Sequence, residues 1–113
     1  MSINRLTKGQ ASVGALVVGN ANTVYKVDFG TTSLNPASIA ATTRVGTTFT
    51  LTGAKTTDII VMNPPADLND DLLFVGATVT ADDTVTVYLY NPTAGAIDDS
   101  ARTWSYLWID TTA

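Results

Sequence analysis

The stretch Thr84-Val85-Thr86-Val87-Tyr88-Leu89-Tyr90 decides the fold. Val85, Val87 and Leu89 fall on one side of an extended chain, and Thr86, Tyr88 and Tyr90 fall on the other. A period of two belongs to a β-strand, in which successive side chains point to opposite faces. The same period recurs outward in both directions. Upstream, Thr47-Thr48-Phe49-Thr50-Leu51-Thr52 sets Thr47, Phe49 and Leu51 against three threonines. Thr23-Val24-Tyr25-Lys26-Val27-Asp28-Phe29 sets Tyr25, Val27 and Phe29 against Lys26 and Asp28.

Punctuation between these runs is equally regular. Asp58-Ile59-Ile60-Val61-Met62 reads as a buried strand, ended by Asn63-Pro64-Pro65 because proline cannot donate to a ladder. Pro36 to Ala41 reads as an edge strand that starts at a proline. Gly53 to Thr57 is a turn, and Asp67 to Asp71 an acidic loop or a single helical turn. Leu72 to Thr80 is a strand in which Gly76 marks a bulge or a close approach. Asp82-Asp83 turns the chain into the deciding stretch, Asn91 to Ala96 is a loop, and Thr103 to Ile109 forms the last strand. Together these predict an all-β chain, an antiparallel β-sandwich or jelly-roll of about seven to eight short strands. Residues 23–113 make one domain, and residues 1–22, small, polar and glycine-punctuated, make an extended N-terminal arm.

Composition agrees and narrows the chemistry. With 113 residues, one compact core is possible and two are not. There is no Glu and a single Gln (Gln10), while Thr and Val are abundant, which suits strands over helices. Absent Cys excludes disulfides and thiol catalysis, and absent His removes the commonest general base and metal ligand. Six basic residues are scattered in a chain of net charge −4, which argues against a nucleic-acid partner. No apolar run reaches the length of a membrane span, and the first residues lack the apolar core of a secretory signal. At 45% hydrophobic and 14% charged, the chain is nonetheless apolar for a small soluble monomer, which points to surface buried against another protein.

Catalysis finds little support. Ser and Thr are plentiful, but a nucleophilic hydroxyl needs a base. The pairs Asp70-Asp71, Asp82-Asp83 and Asp98-Asp99 concentrate carboxylates, and two such loops can hold Ca²⁺ in principle. Asp also favours turns for its own reasons, so solvated turns are the expectation here, with no metal and no cofactor. A core this small leaves little room for a substrate cleft, so neither an enzyme nor a small-molecule substrate is expected.

The aromatic residues carry more. Trp104, Tyr106 and Trp108 share one face of the last strand, and Leu107 and Ile109 share the other. A strand with one wet face should alternate apolar with polar, and this one is apolar on both. Tyr88 and Tyr90 likewise lie opposite Val85, Val87 and Leu89. Such strips are buried by other segments of the chain, form a subunit interface, or make a stacking platform for a glycan; the expectation is that these aromatics face outward. Tyr88, Tyr90, Trp104, Tyr106 and Trp108 would then form an oligomer interface, where Tyr and Trp are enriched.

The order of several segments resembles a known class. Asn35 to Thr43, Phe49 to Ala54, Asp58 to Pro65, Val75 to Val87 and Asn91 to Asp98, followed by the aromatic last strand, are similar to segments of small tailed-phage virion structural proteins. The resemblance covers roughly residues 34–109 of the 113. It implies a β-rich, trimeric capsid decoration (cement) protein that binds and stabilises the major capsid protein shell, made in the host cytoplasm and placed on the virion surface. Its arm would attach to the capsid through Ile3, Arg5, Leu6, Lys8, Leu16 and Val18, adding a strand to a capsid sheet edge. The alternative is a head or tail fibre domain that binds host surface glycan through Trp104, Trp108 and Tyr88.

Overall fold

The computed structural model describes residues 16–18 and 22–111. They form strands only: β1 (Leu16–Val18), β2 (Asn22–Val24), β3 (Lys26–Leu34), β4 (Thr43–Thr50), β5 (Ile59–Asn63), β6 (Leu73–Ala81), β7 (Thr84–Asn91) and β8 (Arg102–Asp110). β1 and β2 pair as an antiparallel hairpin, and the others form two three-stranded antiparallel sheets, ordered β3-β8-β5 and β4-β7-β6. The two sheets pack into a β-sandwich. Ile3, Arg5, Leu6 and Lys8 lie outside the described residues; Leu16 and Val18 are described as the backbone of β1.

The deciding stretch is the centre of its sheet. β7 pairs with β4 on one side and β6 on the other. Its inward residues Val85, Val87 and Leu89 are essentially inaccessible. Facing them from the other sheet are Leu34, Met62, Trp104 and Trp108, so both layers share one core. Burying such side chains contributes about 1.5–3 kcal/mol each. Threonine covers the far side of β7, where Thr86 lies between Thr48 and Thr78 in register and its hydroxyl meets that of Thr80 at 2.7 Å.

The bulge expected near Gly76 is present: the register of β6 slips between Phe74 and Gly76, leaving Val75 unpaired and half exposed. The hairpin between β6 and β7 turns at Asp82-Asp83, with Asp83 left-handed (φ 64°), a conformation Asp tolerates. Asp83 ties the tip to the turn after β4. Its carboxylate accepts from the Gly53 amide at 2.7 Å, its carbonyl from the Leu51 amide, and its own amide donates to the Ala54 carbonyl.

One expected strand is absent. Pro36 to Ala41 makes a single bridge, Ile39 with Ile97, instead of an edge strand. Pro36 lacks a donor, the Ile39 carbonyl is shared between the Ile97 amide and a side chain, and the Ala40 carbonyl is taken by that same side chain. The fully buried Asn91 amide donates to the carbonyls of Ile39 (2.9 Å), Ala40 (3.2 Å) and Gly95 (2.8 Å), and its oxygen accepts from the Thr93 amide and hydroxyl. β3 also runs five residues beyond Phe29, to Leu34, because Thr31 to Leu34 continue the ladder with β8.

Candidate functional site: the outer face of the β3-β8-β5 sheet

The aromatic face of β8 is turned opposite to expectation. Trp104 and Trp108 are 1% and 2% exposed and point into the sandwich. Trp104 packs edge-on against Phe74, their centroids 5.4 Å apart. Tyr106 lies between them on the same side, tilted against Phe49 at 5.8 Å. Both indoles are core, with Tyr106 partly buried against them, so Trp104 and Trp108 are not available as a surface interface or a stacking platform for sugar. Tyr88 and Tyr90 do lie on the outer side of β7, half-buried. Tyr88 is covered by the Arg44 guanidinium, 4.6 Å from its ring centroid, and leans over Gly46.

Sequence pattern on β3 shows why. Its inward positions carry Lys26, Asp28, Gly30 and Thr32, paired with Asp110, Trp108, Tyr106 and Trp104. Large rings on β8 need small or accommodating neighbours on the same face. A Cβ at Gly30 would sit 2.8 Å from the Tyr106 hydroxyl, so Tyr106 occupies the space that glycine leaves. Lys26 places its ammonium 4.2 Å from the centre of a Trp108 ring, a cation–π contact at the open end of the sandwich.

The apolar alternates therefore face outward. Register places them in two rows across three strands: Val27, Ile109 and Ile59, then Phe29, Leu107 and Val61. Val27, Phe29, Ile59 and Val61 are 57%, 80%, 50% and 52% exposed, and Tyr25 extends the patch at 41%. The next row, Thr31, Ser105 and Asn63, is polar and uncharged, as are Ser33 and Thr103 beyond it. This sheet face carries no ionisable side chain from Val27 to Ser33 or from Thr103 to Ile109. Two open troughs mark it. One, of about 460 Å³, lies along Leu107 between Phe29 and Val61; the other, of about 780 Å³, lies where Tyr25, Ile59 and Ile109 meet β2. The side chains of this face are apolar or carry uncharged hydroxyl and amide groups. It is a surface suited to apolar contact.

Charged groups gather elsewhere and satisfy one another. Arg102 forks onto both Asp99 oxygens (2.9 and 3.3 Å) and reaches Asp67 at 3.2 Å. Asp99 also accepts from the amides of Asn69 and Ser100, which clips the acidic loop to the start of β8. The hydrogen-bonded Arg102 holds the Asp99 carboxyl below the usual range, and Asp99 raises Arg102 in return. Lys55 pairs with Asp82 at 3.3 Å on the surface. Among the described residues no three acidic side chains converge as a metal site.

Sequence reasoning missed Val27, Phe29, Ile59, Val61, Leu107 and Ile109 as surface residues, since apolar residues on a strand are read as inward by default. Gly30 was the available signal: beside an aromatic strand it marks the face on which the rings lie. No protein-family model, curated protein or solved structure matches this chain.

Proposed function

We propose that this chain is a structural assembly protein, a homotrimeric capsid decoration (cement) protein that binds the major capsid protein on the surface of a virion. The apolar, charge-free outer face of the β3-β8-β5 sheet carries this reading, because contiguous exposed apolar surface marks a place where another protein sits. The resemblance of residues 34–109 to small tailed-phage virion proteins supplies the setting. Such a role asks only for shape, adhesion and resistance to deformation. Residues 1–22 are the capsid-attachment segment in this reading, and three of them on one trimer would bind with avidity.

The experiment is co-sedimentation with shells assembled from the major capsid protein of the same virus. Full-length protein should pellet with shells. A variant lacking residues 1–22 should stay in the supernatant while keeping its β circular-dichroism signal and a mass three times that of its chain. Full-length protein that never pellets with shells sinks the decoration role.

A further inference from the structure

We propose that the occupant of the outer β3-β8-β5 face is another copy of this chain, with Phe29 of each copy entering the trough between Phe29 and Val61 of its neighbour. The inference rests on the reading of the chain as an assembly protein and names the surface that assembles it.

Three observations select a like copy over other partners. The first is the pairing of knob and socket. Phe29, 80% exposed, is the most prominent apolar side chain on the molecule's described surface, and the 460 Å³ trough beside it is walled by Val61 and floored by Leu107. A surface holding both parts can seat the knob of one copy in the socket of the next around a rotation axis, the head-to-tail contact that closes a ring. The second is charge. Each copy carries a net charge of −4, so a face that met its own image with carboxylates on it would be repelled. The ionisable side chains of β3 and β8 lie on the opposite side of the sheet, leaving this one neutral. The third is area. The exposed fractions of Val27, Phe29, Ile59 and Val61, with Tyr25, amount to on the order of 500 Å² of apolar surface. With the polar row Thr31, Ser105 and Asn63 as rim, the face approaches the ~800 Å² per partner of a standard specific interface. The polar row can also hydrogen-bond to its symmetry mate.

The test is light scattering on full-length protein across a concentration series, with no shells present. Wild type should be a closed oligomer. Phe29→Asp and Val61→Asp should each weaken association by at least tenfold, whereas Phe29→Leu should lose far less. Both positions are exposed, so the charged variants should keep the wild-type circular-dichroism spectrum. Should Phe29→Asp fail to fold, Val61→Asp reads the same socket from another strand. Thr48→Asp, on the outer side of the other sheet, should leave the mass unchanged. A monomeric wild type at every concentration overturns the proposal, as does an oligomer that survives both charged variants. Shell binding is a separate readout: a monomer that pellets with shells removes this inference and spares the decoration role. An oligomer that ignores shells does the reverse.

Discussion

The Trp108 indole donates its Nε1 hydrogen bond to Asp58 Oδ2 at 3.0 Å, and both residues are buried. The same carboxylate accepts from the Lys55 amide (3.0 Å) and the Thr111 amide (3.2 Å). One acid thus joins the turn before β5 to the Trp108 ring and to the residue that follows β8. Replacing Asp58 with Ala would strand a buried indole N–H and two amides. The expected loss is roughly 2–3 kcal/mol, read as a lower urea midpoint with an unchanged slope and a shifted tryptophan emission.

Acid should weaken the fold through this residue and Asp99. Burial alone would push the Asp58 carboxyl up. Hydrogen bonds from the Lys55 amide, the Trp108 indole and the Thr111 amide outweigh it and hold the group below its ordinary value. Asp99 is lowered chiefly by Arg102. A carboxyl with a depressed folded pKa leaves the unfolded chain binding more protons, so stability rises with pH across that interval. The contribution is present above the unfolded Asp value of about 3.9 and disappears as pH falls through the folded values. Urea unfolding from neutral pH into acid should show this decline. Asp58→Asn should flatten part of it, and an unchanged slope in that variant would contradict the assignment.

Trp104→Ala should fail as a folding mutant and not as an assembly mutant. The ring is 1% exposed and packs against Phe74 between the sheets. Truncation of a buried Trp costs about 3–5 kcal/mol, much of the whole stability of a domain this size. Thermal unfolding should show a collapse of the transition midpoint. A well-folded Trp104→Ala protein that only dissociates would place the ring at a subunit boundary instead.

Gly30 and Tyr106 should show strong coupling. An added methyl at Gly30 would meet the Tyr106 hydroxyl at 2.8 Å and its ring carbon at 3.1 Å, and the ring is held in place by Phe49. Gly30→Ala should cost about 1–3 kcal/mol as overpacking. Tyr106→Phe removes the nearer atom, so the double variant should recover part of that loss in a double-mutant cycle. Additive effects would mean that the ring is free to swing aside.

Much of the fold was legible because strand periodicity is local. Val85, Val87 and Leu89 announce one face of β7 whatever their partners, and Asn63-Pro64-Pro65 ends β5 by covalent geometry. Which face of a strand is inward is not local when both are apolar. On β8, Trp104 and Trp108 compete with Leu107 and Ile109 for the core, and the choice is made by what lies beside them: glycine and threonine on β3, and Met62 on β5. Pro36 to Ala41 was misread for a related reason. Its carbonyls are claimed by Asn91, about fifty residues away in sequence, and no pattern within the segment reports that.

The pairing of β3 with β8 joins residues 26–34 to residues 102–110. During synthesis the sheet bearing Phe29 therefore cannot assemble until nearly the whole described sequence has left the ribosome. Until then Val27 and Phe29 travel on an unpaired, sticky strand, a situation that invites capture by neighbouring nascent chains. Folding that waits for so distant a partner is slow by its topology. A chaperone that shields residues 26–34 during this interval would keep Val27 and Phe29 from such capture.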